Sequence, residues 1–410
     1  MWNFPWKFRE SFAIAFGLMF IGFALEVATP TVFQSPLEYP TNILVGIGFI
    51  LVLILVHFIF SKNQFVRWLS SVPAAISAIS IMALLTLLMG FIPQDNSFSP
   101  LFNKIGLTHL LQSWPFLFIV IYFEVVLGLT ILRRLRKPQL KDLSFSLNHL
   151  GLWIIVFAVA FGRGDLKRWN MYINEGETVW YAYDSEETKH ELDFAFKLKD
   201  FKIEQYNPKI GIFSADDYKV PKKYKDALFE AEQGRSQSIG DWEIKIDIIY
   251  DYAISQGDRY FKNKIEGSSF AAYVEAHNKK TDKIKEGWIS PGSYRMKPAA
   301  LKLNKQYMVS LTQPEPRRYS SDLVLYTKGG VKKPITLEVN KPFKIKGWKV
   351  YQQGYNEQKG RWSELTILEI VKDPWLPVVY TGIFMLMAGA VMLFWSGRRI
   401  KNTNLKNRKT

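Results

Sequence analysis

Six apolar runs, each close to the roughly 20 residues that cross a bilayer as a helix, lie near 11–28, 42–61, 71–92, 114–132, 146–162 and 375–396. Short connections separate the first five, and about half the chain then intervenes before the sixth. That half has a different pattern. Asp241-Trp-Glu-Ile-Lys-Ile-Asp-Ile-Ile-Tyr250, Leu301-Lys-Leu-Asn-Lys-Gln-Tyr-Met-Val-Ser-Leu311 and Phe343-Lys-Ile-Lys-Gly-Trp-Lys-Val-Tyr351 alternate apolar with polar side chains, the period of a half-buried strand. Turn residues at Asn207-Pro208, Pro291-Gly292 and Gly329-Gly330 separate such stretches. The pattern predicts an α-helical polytopic membrane protein of six spans, with a large β-rich domain inserted between spans five and six. That domain is expected to be a two-sheet sandwich or a partly open barrel. The Lys- and Glu-rich piece at 216–237 carries neither period and reads as a helical or disordered insertion. The first run is too long, and lacks the small-residue cleavage site, for a removable signal peptide, so it is expected to stay as a helix. The domain boundaries that follow are 1–70 for two N-terminal spans, 71–163 for three more, 164–373 for the β-rich domain, and 374–410 for the last span and a basic tail.

Over all 410 residues the chain is 48% hydrophobic and 22% charged, averages that resemble a soluble protein. They blend two populations: 164–373 holds 36 of the 53 Lys+Arg and 31 of the 37 Asp+Glu. Of the 17 basic residues left, 15 fall at the termini and in the alternate short loops (Lys7, Arg9, Lys62, Arg67, Arg133, Arg134, Arg136, Lys137, Lys141 and six in the tail), and only Lys104 and Arg163 fall on the other face. Lys and Arg collect on the cytoplasmic side, so both termini are expected in the cytoplasm and 164–373 outside it. The net charge of +16 is mostly this topological excess, with no clustered basic face of the kind that binds nucleic acid. Cysteine is absent, which excludes a thiolate nucleophile, a CxxC redox pair, a disulfide and any Cys-ligated metal. There is no GxSxG, HExxH or Gly-rich phosphate loop, so the β-rich domain reads as a docking or shielding module.

Ionisable groups inside a bilayer are costly and are functional candidates by default. Glu26 lies near the outer end of the first span and is expected to reach the headgroups. Glu124 lies mid-span in the fourth and must be uncharged, paired or turned to a helix interface; a packing hydrogen bond and a functional role are equally open. His57 and His149 each lie about one turn from the cytoplasmic end of a span, at similar depth, and a neutral imidazole is a good axial ligand for haem iron. His109 falls in an amphipathic stretch, 101–111, expected to be an interfacial helix; it reads as a headgroup-level residue. His190 and His277, in polar surroundings, read as solvated surface residues.

Three stretches are similar to the ResB/CcsB family of the system II cytochrome c biogenesis machinery. Asn148-His149-Leu150-Gly151 opens a span that ends in Phe161-Gly162-Arg163 and is followed by Asn174-Glu-Gly-Glu177. Lys346-Gly-Trp-Lys-Val-Tyr-Gln352 is followed by Gly354-Tyr355. Val371-Lys-Asp-Pro-Trp-Leu-Pro-Val-Val-Tyr-Thr-Gly382 leads into the last span. The resemblance covers about 71–396, and the first two spans are additional to the family's four-span layout. It implies a subunit of a haem export and haem-ligation complex in the bacterial cytoplasmic membrane, non-catalytic alone but part of a holocytochrome c synthase (haem lyase). The implied partners are a ResC/CcsA-type membrane protein with a Trp-rich haem-handling loop, apocytochrome c with its CxxCH site, and a thiol-reducing thioredoxin-like protein. The implied cofactor is a transient haem b, open to sharing with the partner subunit, whose iron takes the family's transmembrane histidine, here His149, as an axial ligand. His57 has no counterpart in the family and stays a weaker candidate; the role of Glu124 is unassigned. Two other readings stand beside this one: a self-contained b-haem electron-transfer protein ligated by His57 and His149, and a membrane-anchored scaffold or sensor whose β-domain binds a protein ligand.

Overall fold

The computed structural model describes residues 2–29, 37–95, 98–136, 139 and 142–406, with 396–406 described by backbone alone. The chain divides into two compact units, Met1–Lys167 with Lys372–Thr410, and Arg168–Val371.

The first unit is helical: α1 (Phe8–Ala28), α2 (Thr41–Ile59), a short α3 (Gln64–Leu69), α4 (Val72–Phe91), a short α5 (Pro100–Lys104), α6 (Trp114–Leu135), α7 (Leu143–Gly162) and α8 (Leu376–Lys406). Among the described residues six helices are long and apolar enough to cross a membrane, as the apolar runs predict. α6 is the most enclosed of them. Its Ile119, Phe123, Val126, Leu129 and Ile131 are buried in a core shared with Ala15 and Met19 of α1 and Ala78, Ile81 and Leu85 of α4. The tyrosine of α6, Tyr122, meets Ser77 of α4 at 3.1 Å, and Trp68 of α3 donates to Ser11 of α1 at 2.9 Å. These polar contacts fix rotation in a bundle where apolar packing alone is nearly degenerate.

α7 and α8 approach backbone to backbone. A Cβ placed on Gly151 would lie 2.7 Å from the Gly382 carbonyl oxygen, and one on Gly382 would lie 2.6 Å from that of Gly151. One on Gly389 would lie 2.7 Å from the Asn148 side chain. Small residues are what allow such close crossings between apolar helices. Beyond α7 a 3-10 turn, Arg163–Asp165, ends in a carboxylate that joins three segments. Asp165 accepts from the Tyr39 backbone N–H at 2.8 Å, the Asn42 side-chain amide at 2.7 Å and the Trp375 indole N–H at 2.7 Å. Asp373 caps α8 by accepting from the Trp375 and Leu376 N–H groups at 3.1 and 3.0 Å.

The stretch 101–111 is not one amphipathic helix. Gly106, at φ +78°, breaks it into α5 and a 3-10 helix, Leu107–Gln112, because a left-handed residue cannot continue a right-handed helix.

The second unit is built of β1 (Lys167–Asn174), β2 (Thr178–Tyr183), β3 (Lys189–Gln205), β4 (Lys209–Ser214), β5 (Phe229–Glu230), β6 (Ser236–Ile239), β7 (Trp242–Gln256), β8 (Arg259–Lys262) and β9 (Ser269–Asn278). The remainder are β10 (Lys283–Ile289), β11 (Leu301–Lys302), β12 (Tyr307–Leu311), β13 (Pro316–Thr327), β14 (Lys332–Glu338), β15 (Phe343–Ile345), β16 (Trp348–Tyr355) and β17 (Leu365–Lys372). They form three sheets where two were expected. The largest has the order β14-β13-β3-β2-β1-β17-β16-β15; a five-stranded sheet carries β10-β9-β7-β6 with β8 on β7; a four-stranded one has the order β11-β12-β4-β5. The two smaller sheets share one core, in which Ile210, Ile212 and Val309 meet Ile244, Ile246 and Val274, so the sandwich expectation holds for that part. The large sheet keeps its own core around Phe196, Leu198, Val350 and Ile370.

Alternation misjudged two strands. Within 301–311 the Asn304 side chain accepts from the N–H groups of Gln306 and Tyr307 at 2.8 and 2.9 Å, a local turn that folds the stretch into the β11–β12 hairpin. Within 343–351, Lys346 and Gly347 both have positive φ (46° and 80°), the two-residue turn that closes a tight hairpin, here β15–β16. The piece at 216–237 is neither a helix nor featureless: it holds a 3-10 turn, Lys222–Ala227, then β5 and the start of β6. In the large sheet Gln352 accepts from Ser321 Oγ at 2.6 Å and donates to Thr366 Oγ1 at 2.9 Å, both buried. His190 is not simply solvated: it stacks on Trp169 with ring centres 4.3 Å apart and sits 2.8 Å from Asp184. His277 likewise pairs with Asp282 at 2.6 Å.

Two outcomes follow for stability. Gly151→Leu must push α8 off α7, and is expected to abolish the folded fraction seen as a monodisperse peak in detergent, with Gly151→Ala intermediate. The hydrogen bond to His190 holds the Asp184 carboxyl below the usual carboxylate range. Its stabilising share is therefore complete above the ordinary Asp value and is lost as pH falls through the lowered one. Thermal melts from pH 6 down to pH 3 should show a shallower loss in Asp184→Asn than in the parent; parallel curves would refute the coupling.

Candidate functional site

The start of α7 presents His149. Its Nδ1 lies 2.9 Å from the Phe145 carbonyl oxygen one turn earlier. A carbonyl only accepts, so Nδ1 carries a proton, and in the neutral ring the lone pair is then on Nε2. The imidazole stacks on the Phe145 ring at 3.7 Å and 26°. The Arg134 guanidinium also lies over the Phe145 ring, 5.5 Å from its centroid, and Arg134 is itself held by Asp142 at 2.5 Å. A ligating histidine usually donates its second ring N–H to a carbonyl or carboxylate, which fixes tautomer and ring orientation. His149 has that arrangement, is half-buried, and makes no other hydrogen bond among the described residues.

One turn further along α7, Trp153 donates its indole N–H to the Glu124 backbone oxygen of α6 at 3.1 Å. Beside that bond is a notch at Gly128: a Cβ there would lie 3.0 Å from Leu53 of α2 and 3.1 Å from Trp153 Nε1. His57 follows Leu53 by one turn, and His149 precedes Trp153 by one turn, on antiparallel helices. Both imidazoles therefore lie on the same side of the notch. They do not share an environment. His57 is 5% exposed, its Nε2 buried without a hydrogen-bond partner, and its ring packs edge-on against Phe58 at 5.5 Å.

Glu124 is 2% exposed, and neither carboxyl oxygen has a partner among the described residues. Its backbone serves Trp153 while its side chain serves nothing among the described residues. Glu26 corrects the expectation of a headgroup contact. It is buried, with Oε2 accepting from the Trp114 N–H at 2.9 Å, at the first turn of α6, and Oε1 3.2 Å from His109 Nε2. His109 is thereby an internal partner of Glu26. Neither the Glu26–His109 pair nor the Asp165 junction had a signal in the sequence, since each joins residues far apart in the chain.

No group of three or more His, Asp or Glu able to hold a bare metal ion occurs among the described residues. A haem iron needs only one or two protein ligands, because the macrocycle supplies the other four. His149, with its oriented ring and free Nε2 lone pair, fits that single-ligand requirement.

Compared with known proteins, residues 262–365 match the model of the ResB-like family. This match supports the resemblance to ResB/CcsB and fits cytochrome c biogenesis at the level of the family. It lies wholly within Arg168–Val371 and contains the second of the three similar stretches, Lys346 to Tyr355; His149 and the entry to α8 lie outside it. No curated protein matches the chain.

If the Glu124 carboxyl has no partner in this chain, Glu124→Leu removes an unmet desolvation penalty of about 1–3 kcal/mol. Chemical unfolding of the purified protein should then show unchanged or raised stability. A fall of more than about 2 kcal/mol would place a hydrogen bond on that carboxyl.

Proposed function

We propose that this protein is a haem-handling subunit of system II cytochrome c maturation. In this reading it acts with a ResC/CcsA-type partner to move haem across the cytoplasmic membrane and present it to apocytochrome c. His149 supplies one axial ligand; haem is the cargo, and its attachment to the CxxCH cysteines is chemistry of the assembled complex. The termini lie in the cytoplasm and Arg168–Val371 outside it, in keeping with the segregation of 15 of 17 basic residues. Thiol reduction falls to a separate thioredoxin-like protein, in keeping with a chain that has no cysteine.

The observation that carries the reading is the His149 Nδ1–Phe145 carbonyl bond at 2.9 Å. Phe145 performs two tasks: its carbonyl accepts the Nδ1–H hydrogen bond and its ring stacks on the imidazole. Arg134, tied to Asp142, braces Phe145 in turn. The Gly151–Gly382 contact fixes the rotation of α7, so the direction of Nε2 is set by backbone packing. In this reading a second imidazole would come from the partner, giving bis-imidazole ligation without a second histidine from this chain.

The test is an absorption spectrum with pyridine haemochrome quantification on protein from a haem-replete host, alone and with its partner. Haem present in the complex, lost in His149→Ala and restored to His149→Gly by added imidazole, is expected. Haem retained by His149→Ala removes His149 from the site. Haem that needs both His57 and His149 in this chain alone would favour a self-contained b-haem protein. No haem in any preparation would favour a scaffold.

A further inference from the structure

Around the C-terminal end of α2, α3 and the C-terminal end of α6 lies a cavity of about 360 Å³. His57 and Leu129 line it together with Ser70 and the side chains of Arg67, Arg133 and Arg136. Three arginines border one space, and no carboxylate is among its described walls. Arg133 donates to the Ser70 carbonyl and hydroxyl oxygens, both at 3.3 Å. Arg67 and Arg136 form no ion pair among the described residues. The chain has no acid to offer locally: residues 43–71 and 125–141 contain neither Asp nor Glu, and Asp142 is engaged by Arg134 at 2.5 Å.

Like charges lining one cavity repel. Arg67, Arg133 and Arg136 are exposed, while the wall they share also holds His57, 5% exposed with no hydrogen-bond partner for its Nε2 among the described residues, and Leu129, 1% exposed. An oxyanion relieves the repulsion, and guanidinium forks bind planar or tetrahedral oxyanions through paired N–H donors. Because the cavity sits at the ends of two membrane-spanning helices, the anion that reaches it most readily is the head of an amphiphile whose body stays among apolar side chains. We propose that this cavity binds the oxyanion head of a membrane-borne amphiphile, with Arg67 and Arg136 as its ligands and Arg133, anchored on Ser70, as the third donor. Two sources share that chemistry, the propionate carboxylates of a porphyrin and the phosphate of an anionic lipid. The porphyrin source rests on the proposed haem-handling function; the lipid source does not.

The test uses the full-length protein in phosphatidylcholine nanodiscs. Iron-free protoporphyrin IX and its dimethyl ester are titrated by porphyrin fluorescence against protein-loaded and empty discs. In a second arm, thermal unfolding is followed with and without phosphatidylglycerol in the disc. The variant is Arg67→Gln/Arg136→Gln, which takes away no ion pair from the fold; the control is Arg9→Gln/Lys62→Gln, with the same loss of charge elsewhere. Losing charge-assisted hydrogen bonds should weaken binding by about tenfold or more. A porphyrin affinity that falls by that factor in the cavity variant and on esterification, but not in the control, assigns the carboxylate. A phosphatidylglycerol stabilisation present in the parent and control and absent in the cavity variant assigns the phosphate. If the cavity variant matches the parent in both arms, the proposal is overturned. His149→Ala should leave both arms unchanged, since no iron is present, so a failed haem assignment at His149 would not be confused with a failed cavity.

Discussion

The membrane unit depends on the close passage of α7 and α8 at Gly151 and Gly382. Each glycine would place a Cβ under 3 Å from the other's carbonyl oxygen, so any side chain there separates the helices. Between apolar helices there is little hydrophobic gain from association, and the attraction comes from dispersion across the tight contact together with a few polar bonds. The contact sets more than a distance. It fixes which face of α7 looks at α8, and hence where Phe145, His149 and Trp153 point. It also brings Trp375 to the end of α7, where its indole completes the triple acceptance by Asp165. The asparagine and glycine beside His149 thus act in register: Asn148 packs on Gly389 and Gly151 on Gly382, and His149 is the residue between them turned elsewhere.

Polar groups in the helical unit fall into two kinds. Glu26 and Asp165 are fully employed, each closing a junction between segments remote in sequence. Glu124 and His57 are buried without employment among the described residues. An unmet polar atom in a low-dielectric setting costs free energy that the fold does not recover, so the first pair are explained by structure and the second pair are not. His149 is intermediate, with one nitrogen committed and the other at liberty.

Periodicity located the six helices to within a few residues at most ends, and it separated the helical from the β-rich part, because both signals are local. The misjudged places are those where one residue overrides a period. Gly106 ends a helix that the apolar spacing would continue, while Asn304 and Lys346–Gly347 turn chains that alternation alone would run straight. The site was half legible. His57, His149 and Glu124 could be singled out because polar residues are conspicuous in apolar runs. What distinguishes them, a carbonyl at 2.9 Å for one and no partner for the others, depends on packing that a sequence does not display. The arginine cavity was least visible, since Arg67 and Arg136 lie far apart in the chain and their presence at helix ends is already accounted for by topology.

The glycine seam also bears on the order in which the molecule can be assembled. α7 leaves the ribosome with its small-residue face exposed, and the helix that covers it is made only after the whole of Arg168–Val371. Until then Asp165 lacks its Trp375 donor and the Asn148–Gly151 face has nothing against it. Closing the bundle is therefore a long-range event that must await the insert, and such contacts form slowly because loop-closure entropy precedes any reward. During that interval α7 is available to other small-residue helices in the same bilayer. A chain whose β-rich insert folds late is thus exposed to mispairing in the membrane, although the insert contributes no residue to the seam.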